Sequence, residues 1–221
     1  ANWPSVDSAR RAVARLPALQ LADGDGPAPI GILEVEGQRL EALAHRSGEW
    51  TVVELEPASP DTGTQAAIYS LARHFLPQLQ RTQSLHDLAA LAAAEIKGLT
   101  RFGRTLVYRF DEEGHGEVLA EELDPGYESY LGHRFPAADV PAQARALYCT
   151  NHLRLIPDAT YQPVPLLGTD VAWDARALDL SWAGLRSVSP VHLEYMRNMG
   201  TLASMSVSIV VKGRLWGLIS C

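Results

Sequence analysis

Cysteine is almost absent from this chain: Cys149 and Cys221 are the only two in 221 residues, and they lie far apart. No disulfide framework can be drawn from them, which suits a reducing compartment. Basic charge is not in excess either, since the formal net charge is −7, and this leaves no electrostatic footprint for a nucleic acid. Long apolar runs are missing. The least polar stretch, Leu85 to Ile96, is interrupted by His86, Asp87 and Glu95 and is too short and too polar for a membrane span. The first residues carry no pattern of charge, apolar run and small residues that would read as a secretion signal. The expectation is a cytoplasmic protein with neither nucleic acid nor membrane as a partner. Internal repeats, a GxSxG elbow and kinase motifs are all absent, so Ser189, His192 and Asp139 form only a nominal hydrolase set. His133, His152 and His192 lack any local ligand spacing. Neither a catalytic residue nor a metal site is expected.

What is present is an ordinary globular composition, 47% hydrophobic and 20% charged, enough for one large or two modest domains. Val6 to Leu19 has the spacing of a short amphipathic helix, followed by the turn-rich LADGDGPAP. Three strand-like runs follow, Ile30 to Val35, Arg39 to His45 and Trp50 to Leu55, broken at Glu36-Gly37 and Ser47-Gly48, and they predict an antiparallel meander. The segment Glu56 to Thr64, rich in Pro, Ser, Thr and Gly, reads as a linker. Helical patterns cover Gln65 to Leu79 and Ser84 to Leu99, with Leu85, Leu88, Leu91 and Ala92 at helical spacing. Strands are expected at Thr105 to Phe110 and Gly116 to Glu121, a helix at Val140 to Thr150, and a closing strand pair split at Lys212-Gly213. Between them Pro157 to Ala183 is irregular and long, which in a compact domain marks a functional loop or disorder. The fold class expected is α+β, with antiparallel sheets flanked by helices.

Two segments concentrate chemistry. In RSVSPVHLEYMRNMG, Arg186 to Gly200, Ser189 suits an N-cap and Pro190 the first helical position. His192 and Tyr195 then share one helix face. In FPAADVPAQARALY, Pro136 and Pro141 bracket Asp139 and stiffen the backbone around it. These segments, with YRF at Tyr108, GEVLAE at Gly116, YLGHRFPAADVPAQARALY at Tyr130, LRLI at Leu153 and SMSVSIVVKGRLWGLISC at Ser204, resemble the chromophore-binding GAF domain of bacteriophytochromes. The residues ahead of it resemble the end of a PAS domain.

The resemblance implies a partial PAS-like domain over residues 1–60 and a GAF domain over 65–221, with the irregular stretch as a lasso-type insertion. It implies a red/far-red photoreceptor that binds a linear tetrapyrrole, biliverdin, and signals by photoisomerisation. A homodimer through the helices at Gln65 to Leu99 is expected, with a downstream kinase or other output domain and a response regulator beyond it. The residues implied at the chromophore are Tyr108, Tyr130, Phe135 and Tyr195 around the rotating ring, and Asp139 and His192 at the pyrrole nitrogens. Arg154 and Arg186 are the implied propionate anchors, planar guanidinium forks being suited to carboxylates, with hydroxyls from Ser189, Ser204 and Ser206. Each has a plainer reading. Asp139 suits an N-cap for the helix after Pro141, His192 a helix-terminal surface position, the aromatics a core, and the arginines solvated or paired surface sites. Cys149 reads as a small buried hydrophobe or a partly exposed thiol, and Cys221 as a core strand residue. Val191 stands where members of the family that use phytobilins carry the attachment cysteine, and the position used with biliverdin lies before the PAS domain, so the resemblance places no attachment cysteine among these residues. The expectation is attachment upstream or binding without a covalent link. Ala138 replaces a serine common in the family. The rival reading is a GAF-type module for a cyclic nucleotide or similar small ligand.

Overall fold

The computed structural model describes residues 3–16, 21, 26–58, 73–168 and 178–221. By contacts the chain divides into two compact units, Ala1–Thr62 with Pro163–Ser187, and Gly63–Gln162 with Val188–Cys221.

The first unit opens with α1 (Val6–Val13), capped by the Ser5 hydroxyl accepting from the Ser8 N–H at 3.3 Å. It ends by Ala14, short of the Leu19 that periodicity suggested; it buries no residue, so no packing extends it. Leu19 lies outside the described residues. Strands β1 (Ala28–Val35), β2 (Gln38–Ser47) and β3 (Trp50–Pro57) form the expected meander in the order β1-β2-β3. The β1–β2 turn places Glu36 (φ 50°) and Gly37 (φ 77°) in left-handed conformations between the pair Val35 and Gln38, the geometry that matches strand twist. One face of β2 buries Leu40, Ala42 and Ala44. On the other, His45 and Glu54 are also buried. Two bonds tie later residues to this sheet: Ser47 Oγ donates to the Asp179 carbonyl at 2.8 Å, and the Leu185 N–H donates to Glu54 Oε1 at 2.6 Å. The linker and the start of the Gln65 to Leu79 helix lie largely outside the described residues; 73–79 are helical.

In the second unit, α2 (Leu85–Thr100) starts on a reciprocal box in which the Ser84 hydroxyl accepts from Asp87 N–H and the Asp87 carboxylate from Ser84 N–H. It stops where Arg101 turns left-handed (φ 59°). The helical spacing of its leucines does not by itself say which face meets the sheet. Ala89 and Ala93 are the buried residues, while Leu85 and Leu88 stay exposed, because small side chains let the helix approach the sheet closely.

That sheet has six antiparallel strands in the order β6-β5-β4-β9-β8-β7: β4 (Arg104–Phe110), β5 (Gly116–Leu123), β6 (Arg134–Phe135), β7 (Leu153–Ile156), β8 (Ser204–Val211) and β9 (Arg214–Ser220). A bulge inserts Leu119 between the pairs Val107 with Ala120 and Tyr108 with Val118. Val107, Leu119 and Ala120 therefore pack against α2, whereas Tyr108, Val118 and Leu218 form a separate cluster. Helix α3 (Ala142–Thr150) is tied to β8 by Ser208 Oγ donating to the Tyr148 carbonyl at 2.7 Å. Helix α4 (Pro190–Asn198) packs Leu193 and Met196 on Ile156 and Ala159. Residues 169–177 of the irregular stretch lie outside the described set; its remainder contains no helix or strand. Among the described residues no helix is long and apolar enough to cross a membrane.

Candidate functional site

Tyr108, Val118 and Leu218 floor a cavity of about 610 Å³ in the second unit, within the range of about 300–1,000 Å³ usual for small-molecule sites. Tyr108 reaches this position because Gly116 and Gly217 leave room. A Cβ at Gly116 would stand 1.6 Å from the Tyr108 ring, and one at Gly217 would stand 2.3 Å from the Tyr108 carbonyl oxygen. The phenol is buried, and burial followed by the Asp139 charge pushes its pKa up to about 12. It therefore stays a neutral hydrogen-bond donor at any ordinary pH.

Asp139, His192, Tyr195, Tyr130, Phe135, Ser204 and Ser206 line the same cavity, so that with Tyr108 eight of the eleven residues expected at a ligand converge there. The aromatic wall is continuous, Tyr130 lying 6.0 Å from Phe135 edge-on, and Phe135 6.0 Å from Tyr108. Tyr195 stacks near His192 with centroids 6.3 Å apart and planes 14° apart. Its hydroxyl is also held above the ordinary phenol range, by burial and then by Asp139. Ser204 and Ser206 share the cavity face of β8 through the two-residue strand period.

His192 presents two aspects. By surface area the residue counts as exposed, yet burial among protein atoms and then the Arg154 charge hold its pKa below the usual histidine value. The protein density around the ring thus favours the neutral imidazole over the protonated one. Neither the Asp139 carboxylate nor the His192 ring has a hydrogen-bond partner among the described residues, and both line the same cavity.

Asp139 does not cap α3. The N-cap is Pro141, extended at φ −62° and ψ 159°, and no side chain bonds the helix start; the helix begins two residues later than the Val140 expected. The ring of Pro141 disfavours helical backbone at Val140, so the helix starts beyond the reach of Asp139. Asp139 is instead held by its N–H donating to Pro136 O at 3.0 Å. Arg145 steadies the flanking backbone, donating to Val140 O at 2.5 Å and Ala137 O at 3.3 Å. Ser189 does occupy the N-cap of α4 with Pro190 next to it, but its hydroxyl makes no capping bond, and it is not among the cavity-lining residues.

The two arginines belong to different units, and neither lines this cavity. Arg154 sits on β7 opposite Ser206 and acts on His192 through its charge, without lining the cavity. Arg186 belongs to the first unit, where its guanidinium donates to Ala183 O at 2.7 Å and Ser181 O at 3.4 Å. Cys149 is exposed. Cys221 is half-buried, its thiol accepting from Thr105 Oγ1 at 3.4 Å and its pKa raised by burial.

Several lining residues escaped the sequence reading, including Arg104, Leu106, Tyr148 and Met199. Arg104 and Leu106 share strand parity with Tyr108, a signal available once the register of β4 is known. Tyr148 lies on α3, whose facing no local pattern discloses.

A GAF domain family model matches residues 84–221. Cyanobacterial phytochrome B of Nostoc sp. is 46% identical over 84% of this chain and 25% of its own length, and the bacteriophytochrome of Pseudomonas aeruginosa is 40% identical over 90% and 27%. The chain thus spans about a quarter of the length of these curated relatives. Among solved structures, the chromophore-binding domain of Stigmatella aurantiaca phytochrome P1 superposes with a TM-score of 0.79 at 39% identity, covering 99% of this chain and 72% of that one. The chromophore-binding domain of a bacteriophytochrome from R. palustris gives 0.78 at 36%, covering 98% and 70%. Match in sequence and match in fold coincide over the strands and helices that enclose the cavity, and the chain belongs to the phytochrome family, with its GAF domain at residues 84–221.

Proposed function

We propose that this chain is the chromophore-binding part of a red/far-red photoreceptor and that its cavity holds a linear tetrapyrrole, biliverdin. The observation that carries the reading is the pairing of an unpartnered carboxylate, Asp139, with an unpartnered neutral imidazole, His192, inside an aromatic-walled cavity. A bound tetrapyrrole supplies visible absorption, a row of pyrrole N–H donors and a methine bond that light isomerises. The residues fit it. Asp139 and His192 offer acceptors and compensate a buried positive charge, which is costly when left unmatched. Tyr108 and Tyr195, kept protonated, can donate into the cavity, and Phe135 with Tyr130 adds an apolar wall. Ser204 and Ser206 offer hydroxyls from β8. Arg154 and Arg186 are the propionate anchors in this reading, with Ser189 near the latter in sequence. Residues 1–60 form the end of a PAS-like domain and 65–221 the GAF domain, in a cytoplasmic homodimer joined through the helices up to Leu99. Output passes to a kinase or other domain and a response regulator. The chain itself performs no catalysis.

The test is an absorption spectrum of the protein mixed with biliverdin. A strong red band that red light bleaches reversibly is expected, and a spectrum no different from free biliverdin overturns the reading. Asp139→Ala should bind biliverdin yet fail to complete the photocycle. His192→Ala should lower the pH at which the red band bleaches, because the acceptor that stabilises the buried N–H is gone. Full photoconversion and an unaltered bleaching pH in both variants would sink the assignment of these two residues.

A further inference from the structure

Arg104 is a half-buried cation in the cavity wall that the function above does not use. Its side chain is 18% exposed and that of its partner Glu121 2% exposed, with Nε standing 3.2 Å from Glu121 Oε1. Nε and Oε1 lie close without forming a well-aligned hydrogen bond, so the desolvation of the pair is offset by the other contacts each member makes. Here both members act on one residue. The Arg104 guanidinium carbon lies 3.8 Å from the centroid of the Tyr130 ring, and the side chain also donates to the Glu128 carbonyl. Glu121 Oε2 accepts from the Tyr130 N–H at 2.9 Å and from Ser129 Oγ at 2.8 Å. A cation on the ring face fixes the plane of the phenol, while a charge-assisted bond fixes its backbone.

We propose that Arg104, set by Glu121, is a positioning residue for Tyr130: it holds the phenol plane against Phe135 and thereby shapes the cavity wall that a bilin would meet. The ligand consequence rests on the bilin reading; the positioning of Tyr130 does not. Lysine at 104 would keep the charge but lose the planar face and the fork, so the two contributions separate.

The experiment uses the chain with and without biliverdin. In the free protein, the Tyr130 ring signals in NMR should move in both Arg104→Ala and Arg104→Lys. Amide exchange at Tyr130 should rise about tenfold in Arg104→Ala and Glu121→Gln, the scale of losing a charge-assisted hydrogen bond, and should stay within about threefold of the parent in Arg104→Lys, which retains the ion pair. Should Arg104→Ala not fold, the ring signals of Arg104→Lys and the exchange of Glu121→Gln decide. Unmoved ring signals in Arg104→Lys, with unaltered Tyr130 exchange in Glu121→Gln, overturn the proposal, since a general anchoring role leaves the phenol environment unchanged. With biliverdin, Arg104→Lys should displace the red band relative to the parent. A parent that binds no biliverdin removes the bilin reading, and the free-protein signals still decide the positioning role. A parent with a red band that Arg104→Lys leaves unshifted overturns the ligand consequence alone.

Discussion

A methyl group at position 116 would enter the space that the Tyr108 ring occupies, within 1.6 Å of Cζ and 1.8 Å of the hydroxyl. The ring is buried among Phe110, Phe135 and Val118, so it has nowhere to retreat without disturbing the cavity floor. Gly116→Ala should cost about 1–3 kcal/mol, the usual range for overpacking, read as a lower urea midpoint with an unchanged slope. Combined with Tyr108→Ala, the loss should be well below the sum of the single changes, because the collision disappears with the ring; strict additivity would disprove the steric account. At this scale the sequence was informative where chemistry and motif coincided. Tyr108, Asp139, His192 and Tyr195 were legible as a set, and the structure brings them to one cavity. The cap assigned to Asp139 failed because Pro141 displaces the helix start. Arg104 and Glu121 were invisible because their partnership is made across two strands and a loop, with no local spacing to betray it.

Helix α2 shows what periodicity conveys and what it omits. Its start was readable from Ser84, and removing that hydroxyl in Ser84→Ala should cost about 0.5–2 kcal/mol of stability, measured by denaturant unfolding; a change indistinguishable from zero would mean the capping box is not maintained in solution. Its facing was not readable, since leucines and alanines alternate too closely for hydrophobic spacing alone to choose between them. Packing chose the alanines, Ala89 and Ala93, for close approach to the sheet, leaving Leu85 and Leu88 exposed. That exposure supports the proposed dimer through these helices. Leu88→Glu should leave unfolding stability within about 0.5 kcal/mol of the parent, as for other exposed positions, while shifting sedimentation toward monomer. An unchanged sedimentation profile would remove α2 from the interface. The strands were easier to locate, because alternation and glycine turns are local signals. The bulge at Leu119, which sets which side chains of β5 face α2, has no such signal in GEVLAE.

Taken whole, the chain carries one desolvated histidine in each unit, and this dictates how stability depends on pH. His45 is 1% exposed, neither ring nitrogen has a partner among the described residues, and burial lowers its pKa against the opposing pull of Glu54 and Asp179. His192 is lowered by burial and by Arg154. For both, the folded chain refuses a proton that the unfolded chain accepts near pH 6.5. Stability from these groups is therefore full above about 6.5 and falls as pH drops below it. Asp179, held low by Ser181, loses its contribution only at lower pH, near the ordinary carboxylate range of about 4. At the alkaline end Tyr108 resists ionisation up to about 12, so stability declines once unfolded tyrosines ionise near pH 10. Amide exchange followed by residue between pH 7.5 and 5 separates the two units. Replacing His45 with leucine should flatten the acid dependence of exchange in β1 to β3 while leaving that of β4 to β9 intact, and His192→Gln should do the reverse. If His45→Leu leaves the acid slope of the first unit unaltered, the buried imidazole is not what titrates there, and the loss of stability below pH 6.5 must arise from other groups.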